Sequence, residues 1–386
     1  MQLVNYAAWI PSENAHLVVA TAPFPDLSPD ELVITNRAVA VNPVDWKIQA
    51  SGGFGLQYPG ILGEDIAGEV LEVGKNVKRF KKGDRVIAHA LGLGNGSAYG
   101  GFQLYPRAKV ETVAKIPASM EFQTGVVLPL SISTAAAGLY LKGTLGLKYP
   151  KVANTLGNQT STLERKNMSD NARERTKKKA VLLLWGGSSS VGSSVIQLAV
   201  ASGYNVVTTA SPANYSYCKD LGASLVLDYH NPDVVPILVS LLKEHGVPVV
   251  GAYDAIGTDT TVRQCAAVLH GLGGGTVASV VSTPSDLPKD VKAVRISSTD
   301  VVGQEGGAVA KTIWGEYVPS ALQRGSFKAA PSELVVGHGL YSVQGGLEKQ
   351  KSGVSAQKVV ITLRLKGRSR ASAGTWLVRC DLLFWM

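Results

Sequence analysis

Residues 180–203 read AVLLLWGGSSSVGSSVIQLAVASG. The first six are apolar without alternation, which is typical of a strand covered on both faces in a parallel sheet. Gly186 and Gly187 then permit a tight turn and a close approach of backbone to a ligand. Apolar residues return at helical spacing around Gly192, so the stretch predicts a strand, a glycine turn and a helix. Free N–H groups and the helix dipole at such a turn favour a diphosphate.

The candidate diphosphate loop is short and rich in small residues. We expect cofactor contacts from its members, which are Gly187, Ser188, Ser189, Ser190, Val191 and Gly192. The loop departs from the G-x-G-x-x-G pattern of dinucleotide sites. From the loop alone, a Gly/Ser turn without a ligand therefore stays open as an alternative.

The chain after this loop alternates between strand-like and helix-like segments. The predicted strands are 205–210, 225–229, 248–257 and 275–281, and the predicted helices are 232–244 and 260–269. Alternation at this spacing indicates right-handed crossovers and a doubly wound parallel sheet. The fold class is therefore α/β, and we place this domain at residues 123–307.

The rest of the chain predicts a second, β-rich domain that is split in sequence. Residues 1–122 carry short apolar runs separated by turn residues. A helix predicted over 121–141 leads out of this module. After residue 307, helices are predicted over 309–322 and 341–351 and strands over 334–336 and 358–363. Residues 308–363 contain no second phosphate loop, so we expect them to complete the first module.

The net charge of +9 belongs to two segments outside the predicted fold. Residues 148–179 hold nine Lys and Arg against three Asp and Glu, and residues 364–386 hold five against one. We predict a flexible basic insertion and an atypical C-terminal tail, with a nearly neutral body. This distribution does not favour nucleic-acid binding. We find no signal peptide or membrane span and no cysteine cluster, so a reducing, cytoplasmic setting is expected.

Residues after the second predicted strand indicate the cofactor. An acidic residue there would hold a ribose 2′-hydroxyl, and its absence favours a 2′-phosphate. Ser211, Asn214 and Lys219 can donate to a phosphate, and no Asp or Glu occurs before Asp220. Tyr229 could close over the same group. The sequence therefore favours NADPH over NADH, although a simple turn at Ser211-Pro212 stays an alternative.

Five elements in order give the chain a family resemblance. They are residues 42–47 (NPVDWK), 63–68 (GEDIAG), 83–86 (GDRV), the candidate loop, and 352–359 (SGVSAQKV). The chain resembles zinc-free medium-chain dehydrogenases/reductases of the quinone oxidoreductase and enoyl reductase branch, especially fungal trans-acting enoyl reductases. The resemblance implies a GroES-like catalytic domain around a Rossmann domain.

The resemblance also implies a chemistry without a metal. Zinc-bearing relatives have Cys where Asn42 stands and His where Glu64 stands, and thiolate and imidazole are the ligands that a catalytic zinc needs. We therefore expect no metal site. Hydride transfer from NADPH to an activated C=C bond or a quinone remains, and this chemistry needs orientation more than a Lewis acid.

Site residues follow from the resemblance position by position. Lys47 is the candidate catalytic residue, because it would stabilise an enolate, and its alternative is an ordinary surface lysine. The resemblance adds cofactor contacts at Asp45, Trp46, Val191, Ile256, Gly257, Val354 and Ser355, and it implies that residues 130–140 line the substrate pocket. His89 and His338 are expected to be ordinary structural or surface histidines.

Two other functions stay open at this point. One is a catalytically weak NADPH-binding protein that acts as a sensor or an RNA-binding module through its basic segments. The other is a reductase fold disabled by the 148–179 insertion. For the reductase we expect a small-molecule substrate, a possible acyl carrier domain of a polyketide synthase as partner, and a monomer or homodimer.

Overall fold

The computed structural model of the chain describes residues 3–53, 55–151 and 179–363. The predicted basic insertion is described only at its ends, residues 148–151 and 179. The tail 364–386 lies outside the described residues, and so does our prediction about it.

A seven-stranded sheet unites the N-terminal module with the end of the chain. Its strands are β3 (Glu31–Ala40), β5 (Asp65–Val73), β6 (Arg85–His89), β7 (Arg107–Lys109), β8 (Val113–Lys115), β15 (Ser332–His338) and β16 (Gln357–Thr362). The order is β15-β16-β3-β5-β6-β8, with β7 also paired to β3. Strand β16 pairs antiparallel with β3, so the last described strand enters a sheet that the first third of the chain begins. The domain limits themselves remain our proposal.

A small sheet covers one end of this domain. It has the order β2-β1-β4, with β1 at Asn5–Ile10, β2 at Val18–Ala22 and β4 at Gly60–Ile61. All its neighbouring pairs are antiparallel.

The predicted doubly wound sheet is present as six parallel strands. They are β9 (Val181–Trp185), β10 (Asn205–Ala210), β11 (Leu225–Asp228), β12 (Val249–Asp254), β13 (Gly275–Ser279) and β14 (Val291–Arg295). The order is β11-β10-β9-β12-β13-β14. The strand order reverses beside β9, and ligands of such sheets bind at that point, beyond the carboxyl ends of the strands. The predicted fold class is confirmed.

Ten helices in the described ranges connect and cover the sheets. Their bounds are α1 Pro43–Ser51, α2 Phe122–Gly125, α3 Pro129–Tyr140, α4 Ser190–Ala201, α5 Tyr215–Asp220, α6 Val234–His245, α7 Asp259–Gly271, α8 Gly303–Ala310, α9 Val318–Gln323 and α10 Val343–Lys351. A π-helical segment, Lys311–Tyr317, joins α8 to α9.

Helix α3 is the central packing element between the two sheets. The hydroxyls of Ser131 and Ser194 lie 2.8 Å apart, which ties α3 to α4, and the hydroxyl of Tyr253 donates to the carbonyl of Thr134 at 2.7 Å. Within the described residues, the stretch 122–140 is apolar and long enough to cross a membrane, but 78% of it is buried inside the protein. We therefore assign it to the core.

The structure differs from the sequence prediction at several elements. The predicted helix 121–141 is interrupted before Pro129, because proline lacks an N–H and fits the first position of a new helix. Helix α1 and strand β14 were not predicted. The signal for α1 is Asn42 followed by Pro43 and Asp45, a helix-start pattern, and the Asn42 N–H donates to Asp45 Oδ2 at 2.8 Å.

Candidate cofactor and active site

The candidate diphosphate loop joins β9 to α4 with the geometry of a tight turn. Gly186 has φ +86°, a left-handed conformation that favours glycine. The Ser189 hydroxyl donates to the Gly186 carbonyl at 2.8 Å and accepts from the Gly192 N–H at 3.0 Å. A Cβ added to Gly192 would lie 2.1 Å from the Gly186 carbonyl oxygen, so this crossing requires glycine.

Strand β10 fixes the position of this loop. The Gly186 N–H donates to the Thr209 hydroxyl at 3.1 Å, and the Gly187 N–H donates to the Thr209 carbonyl at 2.9 Å. A Cβ on Gly187 would lie 2.5 Å from Oγ1 of Thr208. The second glycine therefore lets the loop lie flat against the neighbouring strand.

The loop fits the diphosphate of a dinucleotide. The hydroxyl oxygen of Ser190 is buried and has no hydrogen-bond partner among the residues that the structure describes. A buried hydroxyl normally has a partner, and this one stands in the first turn of α4, where backbone N–H groups are free. A phosphate oxygen would satisfy these donors.

The side chain of Asn214 contacts three other residues that were predicted to bind the cofactor. Its Nδ2 lies 3.1 Å from Oγ of Ser211, 3.1 Å from Oγ of Ser355 and 3.4 Å from Oγ of Ser188. Ser188 belongs to the loop, Ser211 follows β10, and Ser355 precedes β16 of the other sheet. The structure thus brings three hydroxyl groups and one amide, from three segments of the chain, together at the carboxyl end of β10.

Lys219 and Tyr229 lie in the elements that follow. Lys219 is exposed in the last turn of α5. Tyr229 directly follows β11 and is 44% exposed, and its ring centroid lies 4.0 Å from that of His230. Asp228 also stands here, and its Oδ1 accepts from the His230 N–H at 2.9 Å.

Ile256 and Gly257 follow β12, on the other side of the switch point. A Cβ on Gly186 would lie 2.4 Å from Cδ1 of Ile256, so this side chain covers the start of the loop. Oδ1 of Asp254 accepts from the N–H groups of Ile256 and Gly257, each at 3.1 Å. The sequence analysis did not select Asp254 as a site residue. The sequence feature that could have indicated it is an acidic residue at the end of an apolar strand.

Burial raises the pKa of the Asp254 carboxyl, and the N–H groups of Gly257 and Ile256 partly offset this rise. The second oxygen, Oδ2, accepts from the hydroxyls of Thr261 at 3.1 Å and Ser279 at 3.0 Å. Asp254 therefore holds the turn that carries Ile256 against the loop. Val191 and Val354, the remaining residues predicted to contact the cofactor, are half-buried.

Helix α1 presents Asp45, Trp46 and Lys47 in different ways. Lys47 is exposed, and its Nζ lies 5.7 Å from the centroid of the Trp46 ring. Nζ of Lys351, from α10, lies 5.9 Å from the same ring. The Asp45 carboxylate is 1% exposed and accepts from the N–H groups of Asn42 and Gly63 at 2.8 Å and 3.2 Å. Burial and then Glu64 raise the pKa of Asp45 well above its usual range.

The predicted pocket wall, residues 130–140, is mostly core. Leu130 is half-buried, whereas every residue from 131 to 140 is buried. These side chains pack among α4 and the strands of both sheets. Only the first turn of α3 remains a candidate wall of a substrate pocket.

Comparison with known proteins identifies the family. Residues 28–118 match the model of the alcohol dehydrogenase GroES-like domain, and residues 190–323 match that of zinc-binding dehydrogenases. The chain is 37% identical over 360 residues to Dehydrogenase orsE of Emericella nidulans, which covers 93% of this chain and 99% of that protein. The chain belongs to the medium-chain dehydrogenase/reductase family.

One further relative and one solved structure agree with the predicted resemblance. Trans-enoyl reductase himH of Aspergillus japonicus is 39% identical over 363 residues, covering 94% of this chain and 98% of that protein. A solved quinone oxidoreductase of Pseudomonas syringae has a TM-score of 0.66 at 20% identity, covering 92% and 99% of the two chains, and shows the same fold. The resemblance is confirmed, and dehydrogenases of this family bind a nicotinamide cofactor.

A buried polar cluster surrounds Asn42 and Glu64, the two positions at which the resemblance implied a difference from zinc-bearing relatives. Asn42 Oδ1 accepts a hydrogen bond from Nζ of Lys358, and Asn42 Nδ2 donates to Oδ2 of Asp65 at 2.8 Å. Glu64 Oε2 lies 3.0 Å from Nε2 of His89. Among the residues described here, no group of three or more His, Cys, Asp or Glu side chains is arranged to hold a metal ion.

The Glu64–His89 pair has unusual proton affinities. Burial lowers the pKa of His89 to about 4, and the nearby Asp65 carboxylate partly offsets this effect. Burial and then Asp65 raise the pKa of Glu64 well above its usual range. Both groups therefore favour their neutral forms, as expected of titratable groups removed from water.

Proposed function

We propose that this family member is an NADPH-dependent oxidoreductase that reduces an activated C=C bond or a quinone without zinc. The diphosphate would bind the loop of Gly187, Ser188, Ser189, Ser190, Val191 and Gly192. When bound, the reduced nicotinamide supplies the hydride. The chain's own residues bind and orient the two partners, and stabilise the charge that develops on the acceptor.

The observation that carries this proposal is the gathering of donors around Asn214. Ser188, Ser211 and Ser355 lie within 3.4 Å of its amide nitrogen. Hydroxyls and an amide, with Lys219 nearby in sequence and no acid between Ala210 and Lys219, support recognition of a 2′-phosphate over a free 2′-hydroxyl. Tyr229 is exposed enough to cover the adenine ribose.

Zinc independence is supported by the side-chain contacts of Asn42. Lys358 is 4% exposed, and its ammonium donates to the side-chain oxygen of Asn42 and pairs with the Asp65 carboxylate at 2.9 Å. These contacts already use the oxygen of Asn42, so this oxygen is not directed to a metal ion. The donor set of Asn42 and Glu64 also lacks the thiolate and imidazole ligands of catalytic zinc.

The proposed catalytic group is Lys47. Hydride addition to a conjugated acceptor leaves negative charge on the acceptor oxygen, and an ammonium nearby would stabilise it. Lys47 is exposed on α1, beside Trp46, and its exposure supports a role in contacting an acceptor bound at this helix. Together with Trp46, Ile256, Gly257, Val354 and Ser355, it would complete the walls of the cofactor and substrate cleft. Asp45, predicted as a cofactor contact, is buried instead, and its carboxylate holds the start of α1.

The substrate class follows from the relatives as a proposal. A curated relative is named a trans-enoyl reductase, which supports an enoyl thioester as acceptor and an acyl carrier domain of a polyketide synthase as partner. We further propose a cytoplasmic protein that is a monomer or a homodimer.

Turnover with a panel of acceptors tests this function. NADPH consumption is measured with quinones, enals and enoyl thioesters, and NADH is tested in parallel. We expect consumption with at least one class and a preference for NADPH. No turnover with any member of the panel would contradict the proposed function.

A further inference from the structure

A buried ion pair lies where four segments of the chain meet. Nζ of Lys358 on β16 lies 2.9 Å from Oδ2 of Asp65 on β5. Lys358 also donates to the side chain of Asn42, the residue before α1. The other Asp65 oxygen accepts from the N–H of Leu130, in the first turn of α3, at 2.5 Å. Lys358 and Asp65 are 4% and 0% exposed.

Stability alone is a weak reason for such a pair. Removing two charges from water is costly, and replacing a buried ion pair by apolar residues is often neutral or stabilising. The pair does, however, fix the orientation of each hydrogen-bonding group in the cluster. The Asp65 carboxylate accepts from the N–H of Leu130, which has no partner within α3 and lies at the positive end of the helix dipole. Lys358 donates to the side-chain oxygen of Asn42.

The cluster connects the helix of Lys47 to the helix that supports the diphosphate loop. Asn42 is the residue from which α1 starts, five positions before Lys47. On the other side, α3 is joined to α4 by the hydroxyls of Ser131 and Ser194, 2.8 Å apart, and α4 begins in the loop. Movement of either helix would break one of these bonds.

We propose that Lys358 and Asp65 are positioning residues, which hold the Lys47 ammonium in register with the nicotinamide site. This inference rests on the proposed function and on the role of Lys47 in it. Neither residue touches the reacting atoms. Their effect passes through Asn42 to α1 and through Leu130 to α3.

The first test is turnover in Lys358→Met. We expect kcat to fall by about tenfold or more, because small displacements of a catalytic group are costly. The Kd for NADPH should change by less than about threefold, since the donors around Asn214 are intact. The matched control is Leu32→Ala in the core of the same sheet, where the side chain is 0% exposed. This control should lower the thermal unfolding midpoint and keep kcat.

A second variant separates positioning from folding. Lys358→Met leaves the buried Asp65 carboxylate without its cationic partner, so the chain is expected to unfold at a lower temperature. Lys358→Met combined with Asp65→Leu removes both charges and should recover much of the thermal midpoint. The kcat of this double variant should stay low. Recovery of kcat together with the midpoint would overturn the inference.

A double-mutant cycle tests whether the effect passes through Lys47. In a Lys47→Ala background, Lys358→Met should reduce kcat by less than about twofold further, because the positioned group is already gone. Fully additive losses would overturn the inference. Wild-type enzyme that oxidises no NADPH would overturn the proposed function itself, whereas wild-type turnover that survives Lys358→Met would overturn the positioning role alone.

Discussion

Asn214 and Ser355 connect the segments that flank the six-stranded and the seven-stranded sheets, with Nδ2 of Asn214 donating to Oγ of Ser355 at 3.1 Å. Asn214 lies between β10 of the six-stranded sheet and helix α5, and Ser355 lies just before β16 of the seven-stranded sheet. One hydrogen bond therefore spans the cleft at the place where we propose that the 2′-phosphate binds. The first prediction concerns this place.

Ser211→Asp should reverse the cofactor preference. A carboxylate at the end of β10 would repel a 2′-phosphate and accept hydrogen bonds from a 2′-hydroxyl. We expect the affinity for NADPH to fall by about tenfold or more, which corresponds to at least about 1.4 kcal/mol, with NADH binding unchanged or improved. Fluorescence titration with both cofactors measures this. Ser240→Asp, an equal charge change on the exposed side of α6, is the control and should alter neither affinity. Equal NADPH affinity in Ser211→Asp would contradict the assignment.

Lys47→Ala should lower turnover far more than it lowers NADPH affinity. We expect a loss in kcat of about 100-fold, because a single charge-stabilising group at a reacting centre is typically worth this much. The control is Lys351→Ala, since Lys351 is also exposed and its Nζ stands at a similar distance from Trp46. Steady-state kinetics with the preferred acceptor decide the matter, and parallel losses of kcat and NADPH affinity would reject the catalytic role.

Gly192→Ala should abolish cofactor binding. Its Cβ would lie 2.1 Å from the Gly186 carbonyl oxygen, so the loop would have to move. Calorimetry should detect no NADPH binding at concentrations that saturate the wild type. Gly307→Ala on α8 is the matched control, because its Cβ would meet no atom of the described residues within 4 Å. Helix propensity predicts a stability gain of up to about 1 kcal/mol for this variant. An alanine at 192 that leaves NADPH affinity intact would show that the loop is not the diphosphate site.

The buried His89 predicts how stability changes in mild acid. Its pKa of about 4 is below the value of about 6.5 for an exposed histidine, so the unfolded chain binds a proton in this interval and the folded chain does not. The free energy of unfolding should therefore fall as the pH drops from about 6.5 to 4, by up to about 3 kcal/mol from this group.

Urea unfolding at several pH values tests this prediction with His89→Gln. Glutamine keeps a hydrogen-bonding side chain towards Glu64 but does not titrate, so the difference in stability between wild type and variant should shrink as the pH falls. A difference that stays constant from pH 7 to pH 5 would show that His89 is not buried in its neutral form.

The sequence alone predicts much of the six-stranded sheet. Strand β9 and its loop were predicted because a parallel strand covered on both faces leaves an unbroken apolar run, and the glycines mark the turn. Strand β10 was placed at its observed bounds, Asn205–Ala210. Strand β14 was missed, because an edge strand with a lysine and an arginine, VKAVR, carries little of this signal.

The buried cluster could not be derived from local patterns. Asn42 and Lys358 are 316 positions apart, and a lysine near the start of a short apolar strand is normally expected to face water. Only the closing of β16 against β3 brings its ammonium beside Asp65. Likewise, residues 130–140 were predicted as a pocket wall, although the packing of α3 on α4 buries all but the first of them.

The most direct test of metal-free NADPH oxidation is to measure turnover and zinc content on the same enzyme sample. We predict that the reduced acceptor forms in step with NADPH consumption, that zinc is far below one ion per chain, and that a strong chelator leaves the rate unchanged. Failure of every acceptor to consume NADPH, or a rate that rises with bound zinc and is lost on chelation, would contradict it.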